Sequence, residues 1–321
     1  MDQQRVMDAA AAVAKESKSD VLLFSGPVTP DSARRLQDVI CPRKRADRLT
    51  MFVVTPGGDP DAAFKIGRAV QNNYQHVSMV VTGWCKSAGT LIAIAGNELI
   101  MGDRGELGPL DIQLNKADEI MELGSGLAVD QALKTLETTA SRMFLNLLVG
   151  IRRDTGGMIT TKTAADIAAK MVTGLLEPIY HQIDPVKIGE NTRAMNITKM
   201  YGSRLNAASG NLASEHSLNR LVAAYPDHGF VIDREEAKLI FSSVLEPNRS
   251  LGSLIDAMGD IALVPAVSKD PHISYLSPEV TREKKSETPD APVPAAKPRR
   301  SGKAVPDRAR ANGRAQPDHA G

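Results

Sequence analysis

Ser87 stands in Gly83-Trp84-Cys85-Lys86-Ser87-Ala88-Gly89-Thr90, between an apolar β-branched run (Val77 to Thr82) and an Ala/Ile/Leu run (Leu91 to Gly96). The small residues around it predict strand, tight turn, helix. A hydroxyl on such a turn projects outward, while the first N–H groups of the next helix lack partners and face whatever the oxygen attacks. That combination suits a nucleophile for acyl chemistry; it equally suits a helix N-cap, for which serine is a preferred residue. A second loop, Thr55-Pro56-Gly57-Gly58-Asp59, also follows a strand-like pair (Val53, Val54) and precedes an amphipathic helix (Ala62, Ala63, Ile66, Ala69, Val70). Two adjacent glycines let the backbone turn with its N–H groups outward, which suits an anion or oxyanion pocket.

Amide hydrolysis also needs a base and a group to orient it. His228, in Tyr225-Pro226-Asp227-His228-Gly229-Phe230, is the only histidine in the body of the chain set in a loop beside a glycine and an aspartate. Asp111 is the notable side chain of the Gly/Pro-broken loop Arg104 to Asp111. Each has a plainer reading: a turn histidine bonded to a neighbouring carbonyl, and an aspartate ordering its own loop. Cys41 and Cys85 are far apart in sequence, so they make neither a disulfide framework nor a metal-ligand spacing. Cys85 reads as a small core hydrophobe. No cofactor or metal is called for.

The elements that position these residues alternate. Strands are predicted at Val21 to Gly26, Met51 to Thr55, Val77 to Thr82 and Glu98 to Met101, separated by helices of about ten to fifteen residues, such as Asp31 to Ile40. Such alternation argues a mostly parallel sheet with helices on its faces. Neighbouring parallel strands would bring the glycine pair and the serine elbow to one carboxyl edge, where α/β ligand sites lie. Met1 to Ser17 is a modest amphipathic helix. Two long helical segments, Asn115 to Ile151 and Thr161 to His181, flank the turn Asp154-Thr155-Gly156-Gly157, and Asn196 to Ala224 is further helix. Asp233, with Glu236 three residues on, opens another.

The blocks "TPGGD", "GWCKSAGTLIAIAGNELIM" and "GELGPLDIQ" resemble the Clp-fold serine peptidase superfamily, which contains ClpP and signal peptide peptidase SppA. Within it the sequence is most similar to the serine dehydrogenase proteinase (SDH) family, from about Val21 to about Phe241. The resemblance implies a Clp/crotonase-like α/β fold, Ser87 as nucleophile, and the backbone N–H groups of Gly58 and Ala88 as oxyanion donors, with substrate lying along Gly57 and Gly58. In ClpP a histidine occupies the block that here reads Leu110-Asp111-Ile112-Gln113, and an aspartate the block that here reads His228-Gly229-Phe230-Val231. The resemblance therefore implies a triad with its assistants exchanged: His228 as base, Asp111 as its orienter. SppA-like members use a lysine instead, which works as a base only when burial lowers its pKa; Lys86 would point away from Ser87, and Lys116 and Lys134 fall in no matching motif.

The 321 residues are 42% hydrophobic with a formal net charge of +1, enough for a sizeable core and without a global charge for nucleic acid. No apolar run reaches a membrane span and no signal-peptide core opens the chain, so the expectation is a cytoplasmic protein. The expected organisation is an N-terminal helix (1–18), a peptidase domain (19–248) with a helical subdomain at about 115–224, a C-terminal extension (249–280) and a disordered tail (281–321). That tail holds ten Lys/Arg against five Asp/Glu, which offers contacts to nucleic acid or another acidic partner. The function expected is an ATP-independent serine endopeptidase, a homo-oligomer acting on peptides or unfolded protein. The alternatives are a non-proteolytic assembly module with an incomplete triad and a crotonase-like acyl-CoA enzyme, against which the serine elbow speaks.

Overall fold

The first three strands are buried along their length except at Arg48 and His76, which open the second and third, and such burial requires covered faces on both sides. A computed structural model describes residues 3–110, 113–115, 123–266 and 271–277. It runs α1 (Gln3–Ser17), β1 (Ser19–Ser25), α2 (Pro30–Arg43), β2 (Arg48–Val54), α3 (Pro60–Asn73), β3 (His76–Val81), β4 (Trp84–Cys85), α4 (Ala88–Ile94), β5 (Glu98–Met101) and β6 (Glu106–Leu107). There follow β7 (Gln113–Asn115), β8 (Leu123–Ser125), α5 (Gly126–Asp154), α6 (Thr161–Tyr180), α7 (Pro185–Ser209) and α8 (Glu215–Ala223). The last elements are α9 (Arg234–Ala237), β9 (Val244–Leu245), α10 (Arg249–Met258), a 3-10 turn Gly259–Ala262 and β10 (His272–Tyr275).

Six strands form one sheet in the order β10-β1-β2-β3-β5-β9, parallel except for β10. This is the α/β architecture expected, a mostly parallel sheet with flanking helices. Side chains alternate across it with the period of two that a strand imposes. Leu22, Phe24, Met51, Val53, Met79 and Val81 join the core under α2, α3 and α4. Val21, Leu23, Phe52, Val54 and Val80 join the opposite core with Val6, Ala10 and Val13 of α1 and Leu251, Leu254 and Met258 of α10. Burying a large apolar side chain contributes about 1.5–3 kcal/mol, so these two layers, rather than helix propensity, hold the frame.

The first three strands shift by one to three residues from the sequence reading, and three helix boundaries differ for identifiable reasons. Helix α2 starts one residue earlier than Asp31, because Thr29 and Ser32 form a reciprocal capping box and Pro30 fits the first helical turn, where its missing N–H has no partner to lose. The segment expected as helix from Asn115 instead carries the antiparallel pair β7/β8 before α5 begins at Gly126; glycines at 124 and 126 are poor helix formers. The helix expected from Asn196 to Ala224 starts at Pro185 and ends at Ser209, since Gly210 takes φ +67° just past the helix end and Asn206 Oδ1 accepts the Leu212 N–H at 2.8 Å.

Beyond residue 248 the chain supplies α10, capped by Asn248 Oδ1 on the Leu251 N–H at 2.9 Å, and the antiparallel edge strand β10. The same stretch touches the serine elbow: Trp84 N–H donates to the Leu263 carbonyl at 3.0 Å, and the Thr82 hydroxyl donates to the Ala262 carbonyl. The basic tail from 281 lies outside the described residues. Among the described residues no helix is long and apolar enough to cross a membrane.

Candidate active site

Ser87 has φ +49° and ψ −114°, one of two described non-glycine residues with positive φ. Such a conformation costs on the order of 1–3 kcal/mol and persists only where the surroundings impose it. They do so here through the neighbours. Thr55 N–H donates to the Trp84 carbonyl at 2.7 Å, Lys86 N–H donates to the Thr55 carbonyl at 3.0 Å, and Gly89 N–H donates to the Lys86 carbonyl at 2.8 Å. The Ser87 side chain makes no capping hydrogen bond to α4. Ser87 thus caps α4 only through its carbonyl, which accepts the Thr90 and Leu91 N–H groups at 2.8 and 3.3 Å, and its hydroxyl is not spent on the helix.

The glycine loop lies directly against that elbow. A Cβ built on Gly57 would stand 2.9 Å from Ser87 Cβ, 2.9 Å from the Lys86 carbonyl oxygen and 3.4 Å from Ala88 N, at a φ of +104° that side chains rarely adopt. Gly58, at φ +142°, is equally constrained, since its Cβ would fall 2.1 Å from the Val28 carbonyl oxygen. Val28 clamps the loop from the other side: its N–H donates to the Gly57 carbonyl and its carbonyl accepts the Asp59 N–H, both at 2.9 Å. Gly57 N–H is spent on Thr55 Oγ1 at 3.0 Å. Among the described residues the loop's own bonds leave the Gly58 N–H unused, and Ala88, as the first residue of α4, has no intrahelical acceptor. These are the two amides expected as oxyanion donors. Gly57→Ala is expected to destabilise the protein by about 1–3 kcal/mol, the cost of a side chain at such a φ, because the added methyl must displace Ser87 or the loop; the denaturant midpoint measures it.

A chain of backbone pairs brings distant residues to this edge. Strand β4 pairs with β6, and Leu107 of β6 exchanges hydrogen bonds of 2.9 and 3.0 Å with Ile232. The turn before Ile232 is closed by Asp227, whose Oδ1 accepts the Gly229 N–H at 2.7 Å and whose carbonyl accepts the Phe230 N–H at 3.1 Å. Tyr225 packs on Phe230 with ring centroids 4.9 Å apart. Burial, then the hydrogen bond to Glu236, pushes the Tyr225 hydroxyl up to about 12, so it stays protonated and donates to that carboxylate. His228 rides on this turn and lines an open cleft of about 360 Å³ together with Pro56, Trp84, Lys86 and Glu106.

The Lys86 ammonium lies 3.3 Å from Glu106 Oε2 and 3.5 Å from the Phe230 carbonyl. Lys134 is exposed on α5, and Lys116 lies outside the described residues. Cys85 is buried, and that burial pushes its thiol up, which removes it as a rival nucleophile. The loop leading to Asp111 packs on the elbow: Thr90 Oγ1 donates to the Gly108 carbonyl at 2.7 Å, a Gly108 Cβ would stand 3.2 Å from Ser87 N, and Leu110 N–H donates to Leu221 at 2.8 Å. Asp111 itself lies outside the described residues. Sequence reasoning passed over Trp84 and Glu106 as site residues; the single tryptophan of the chain, placed in the elbow, was the available signal.

Residues 29–126 match the family model of ClpP-like SDH-type serine proteinases, a span that holds Gly57, Gly58, Ser87 and Ala88 and stops short of His228. Two uncharacterized proteins of Methanocaldococcus jannaschii are similar: MJ0137, 32% identical over 91 residues, covering 26% of this chain and 32% of that protein, and MJ1495, 32% identical over 79 residues, covering 22% and 27%. The chain thus spans about a third or less of the length of these curated relatives. Among solved structures, a 1510-N membrane-bound stomatin-specific protease overlaps 46% of this chain and 67% of its own at 18% identity and a TM-score of 0.28. ClpP1 from Listeria monocytogenes overlaps 53% and 84% at 16% identity and a TM-score of 0.26.

Proposed function

We propose that this chain is a serine peptidase that cleaves peptide bonds through an acyl-enzyme on Ser87, a reading supported by the match of residues 29–126 to the family model of ClpP-like SDH-type serine proteinases. The observation that carries the reading is the strained elbow of Ser87 set against Gly57 and Gly58. In the first step Ser87 Oγ attacks the scissile carbonyl and its proton passes to the base, while the new oxyanion accepts hydrogen bonds from Gly58 and Ala88. Collapse of the tetrahedral species expels the amine, which takes the proton. Water then attacks the ester, its proton going to the same base, and Ser87 is regenerated.

His228 is the base we assign, supported by its place in the cleft that Lys86 and Pro56 border; Asp111 is assigned to hold the other ring nitrogen. The Lys86 ammonium, engaged with Glu106, is the weaker candidate for a base. The substrate is an extended peptide or unfolded segment lying along Gly57 and Gly58, with no nucleotide step. A homo-oligomer is supported by exposed apolar residues on α5 and α6, among them Leu145, Val149, Met171 and Leu175.

A fluorophosphonate probe tests the reading. It should label the native protein once per chain, with the adduct on the tryptic peptide containing Ser87. Labelling that fails on native protein, or that falls on another residue, would overturn the assignment.

A further inference from the structure

Helix α7 packs on both helices that open at the site loops, α3 just after Gly58 and α4 at Ala88. Away from the site the contact is locked by packing. Gln71 Nε2 of α3 donates to the carbonyls of Ala95, at 3.1 Å, and Leu205, at 2.9 Å, and a Cβ on Gly67 would stand 2.8 Å from Leu205 Cδ2. Beside the glycine loop the contact is of another kind, and Tyr201 makes it. Its hydroxyl donates to Asp61 Oδ1 at 2.7 Å, and its ring stacks on Phe64 with centroids 4.4 Å apart and planes 15° from parallel. The Arg204 guanidinium also lies over the Phe64 ring, at 4.4 Å. The bond to Asp61, first among its causes, raises the Tyr201 hydroxyl above its ordinary pKa, so it remains a donor.

The stacked rings explain why an aromatic residue stands at 201. They leave the hydroxyl unexplained, since a phenylalanine would stack as well. A carboxylate in the first turn of α3 is likewise favoured by the helix dipole whether or not anything bonds to it. What the bond adds is a fixed place for the charge. Asp59 and Asp61 put two carboxylates within one turn of Gly58, whose N–H the loop's own bonds leave unused. Negative charge there opposes the negative charge that an oxyanion donor must stabilise. Asp59 is spent on its own helix, its Oδ1 accepting the Ala62 N–H at 2.9 Å. Asp61 is exposed, and among the described residues its hydrogen-bond partner is Tyr201, 140 residues along the chain.

Resting on the peptidase reading, we propose that Tyr201 is a positioning residue for the oxyanion pocket: its hydroxyl ties the Asp61 carboxylate to α7 and so keeps that anion from the Gly58 N–H. The device acts through charge rather than stiffness, and that sets its test.

Tyr201→Phe in the full-length protein keeps the ring on Phe64 and frees the carboxylate. It should lower kcat for peptide hydrolysis roughly tenfold, less than outright loss of an oxyanion donor, with KM within about twofold of the wild type. Fluorophosphonate labelling of Ser87 should slow by a similar factor, because the phosphonyl oxygen uses the same pocket. Adding Asp61→Asn to Tyr201→Phe should restore kcat to within about threefold of Asp61→Asn alone, since an amide carries no charge to misplace. A mere brace would behave otherwise, because changing its second partner cannot repair it. Tyr201→Phe at wild-type kcat, a change confined to KM, or a double variant as slow as Tyr201→Phe each overturns the assignment, while wild-type labelling at Ser87 leaves the peptidase reading standing. A wild type that neither labels nor cleaves overturns both.

Discussion

Ser87→Ala is expected to lower peptide hydrolysis by about 10³-fold or more and to abolish fluorophosphonate labelling, with the fold unchanged. The magnitude follows from losing the attacking atom: what remains is water attack aided by the oxyanion donors and binding. Stability should be preserved because the hydroxyl makes no capping bond to α4, so the usual N-cap loss of about 1 kcal/mol does not arise. Ser87→Gly sharpens the point. Glycine adopts a φ near +49° without penalty, so this variant should be equally inactive yet more stable than the wild type by about 1 kcal/mol. Paired measurements of kcat/KM and denaturant midpoint test both statements. Alanine and glycine variants that retain hydrolysis would mean that Ser87 is a turn residue and nothing more, whereas a glycine variant less stable than the wild type would overturn the strain at the elbow.

His228→Ala is expected to cost nearly as much as Ser87→Ala, and the Ser87/His228 double variant to be hardly worse than either alone, because members of one catalytic unit are not additive. Asp111→Asn should cost about 10²–10⁴-fold, by leaving the imidazole without a carboxylate to fix its tautomer. Lys86→Met is the informative contrast. It removes the ammonium that pairs with Glu106 but keeps the stem, so with His228 as base it should leave kcat within a few-fold of the wild type. Near wild-type hydrolysis by His228→Ala together with silence from Lys86→Met would reverse the assignment to a Ser/Lys peptidase.

The parts legible from sequence share one property: their cause is local. Continuous apolar runs announced strands buried on both faces, and the structure has them at Ser19–Ser25, Arg48–Val54, His76–Val81 and Glu98–Met101. Asp233 accepts the Glu236 N–H at 2.9 Å, as a cap three residues upstream should. Two glycines after a strand can hold φ of +104° and +142°, which side chains rarely adopt, so the pair at 57 and 58 was readable as a tight turn. What failed was equally physical. The β7/β8 pair and the edge strand β10 are short, and short strands are specified by their partners rather than by their own period. Gly210 ends α7 in a stretch whose Ala and Ser content reads as helix throughout.

By itself, then, the sequence determined the alternating frame, the glycine pair and a serine at a strand-to-helix turn, because adjacent residues settle turn geometry and strand period. Only the tertiary structure decided that the turn is strained, that Gly57 abuts the Ser87 side chain, and that His228 shares a cleft with Lys86 and Trp84. Lys86 meets the Phe230 carbonyl across 144 residues of chain, and no local preference encodes that approach. It exists because β4, β6 and Ile232 pair edge to edge, and backbone pairing between segments this far apart depends on which strand edges the buried core leaves facing each other.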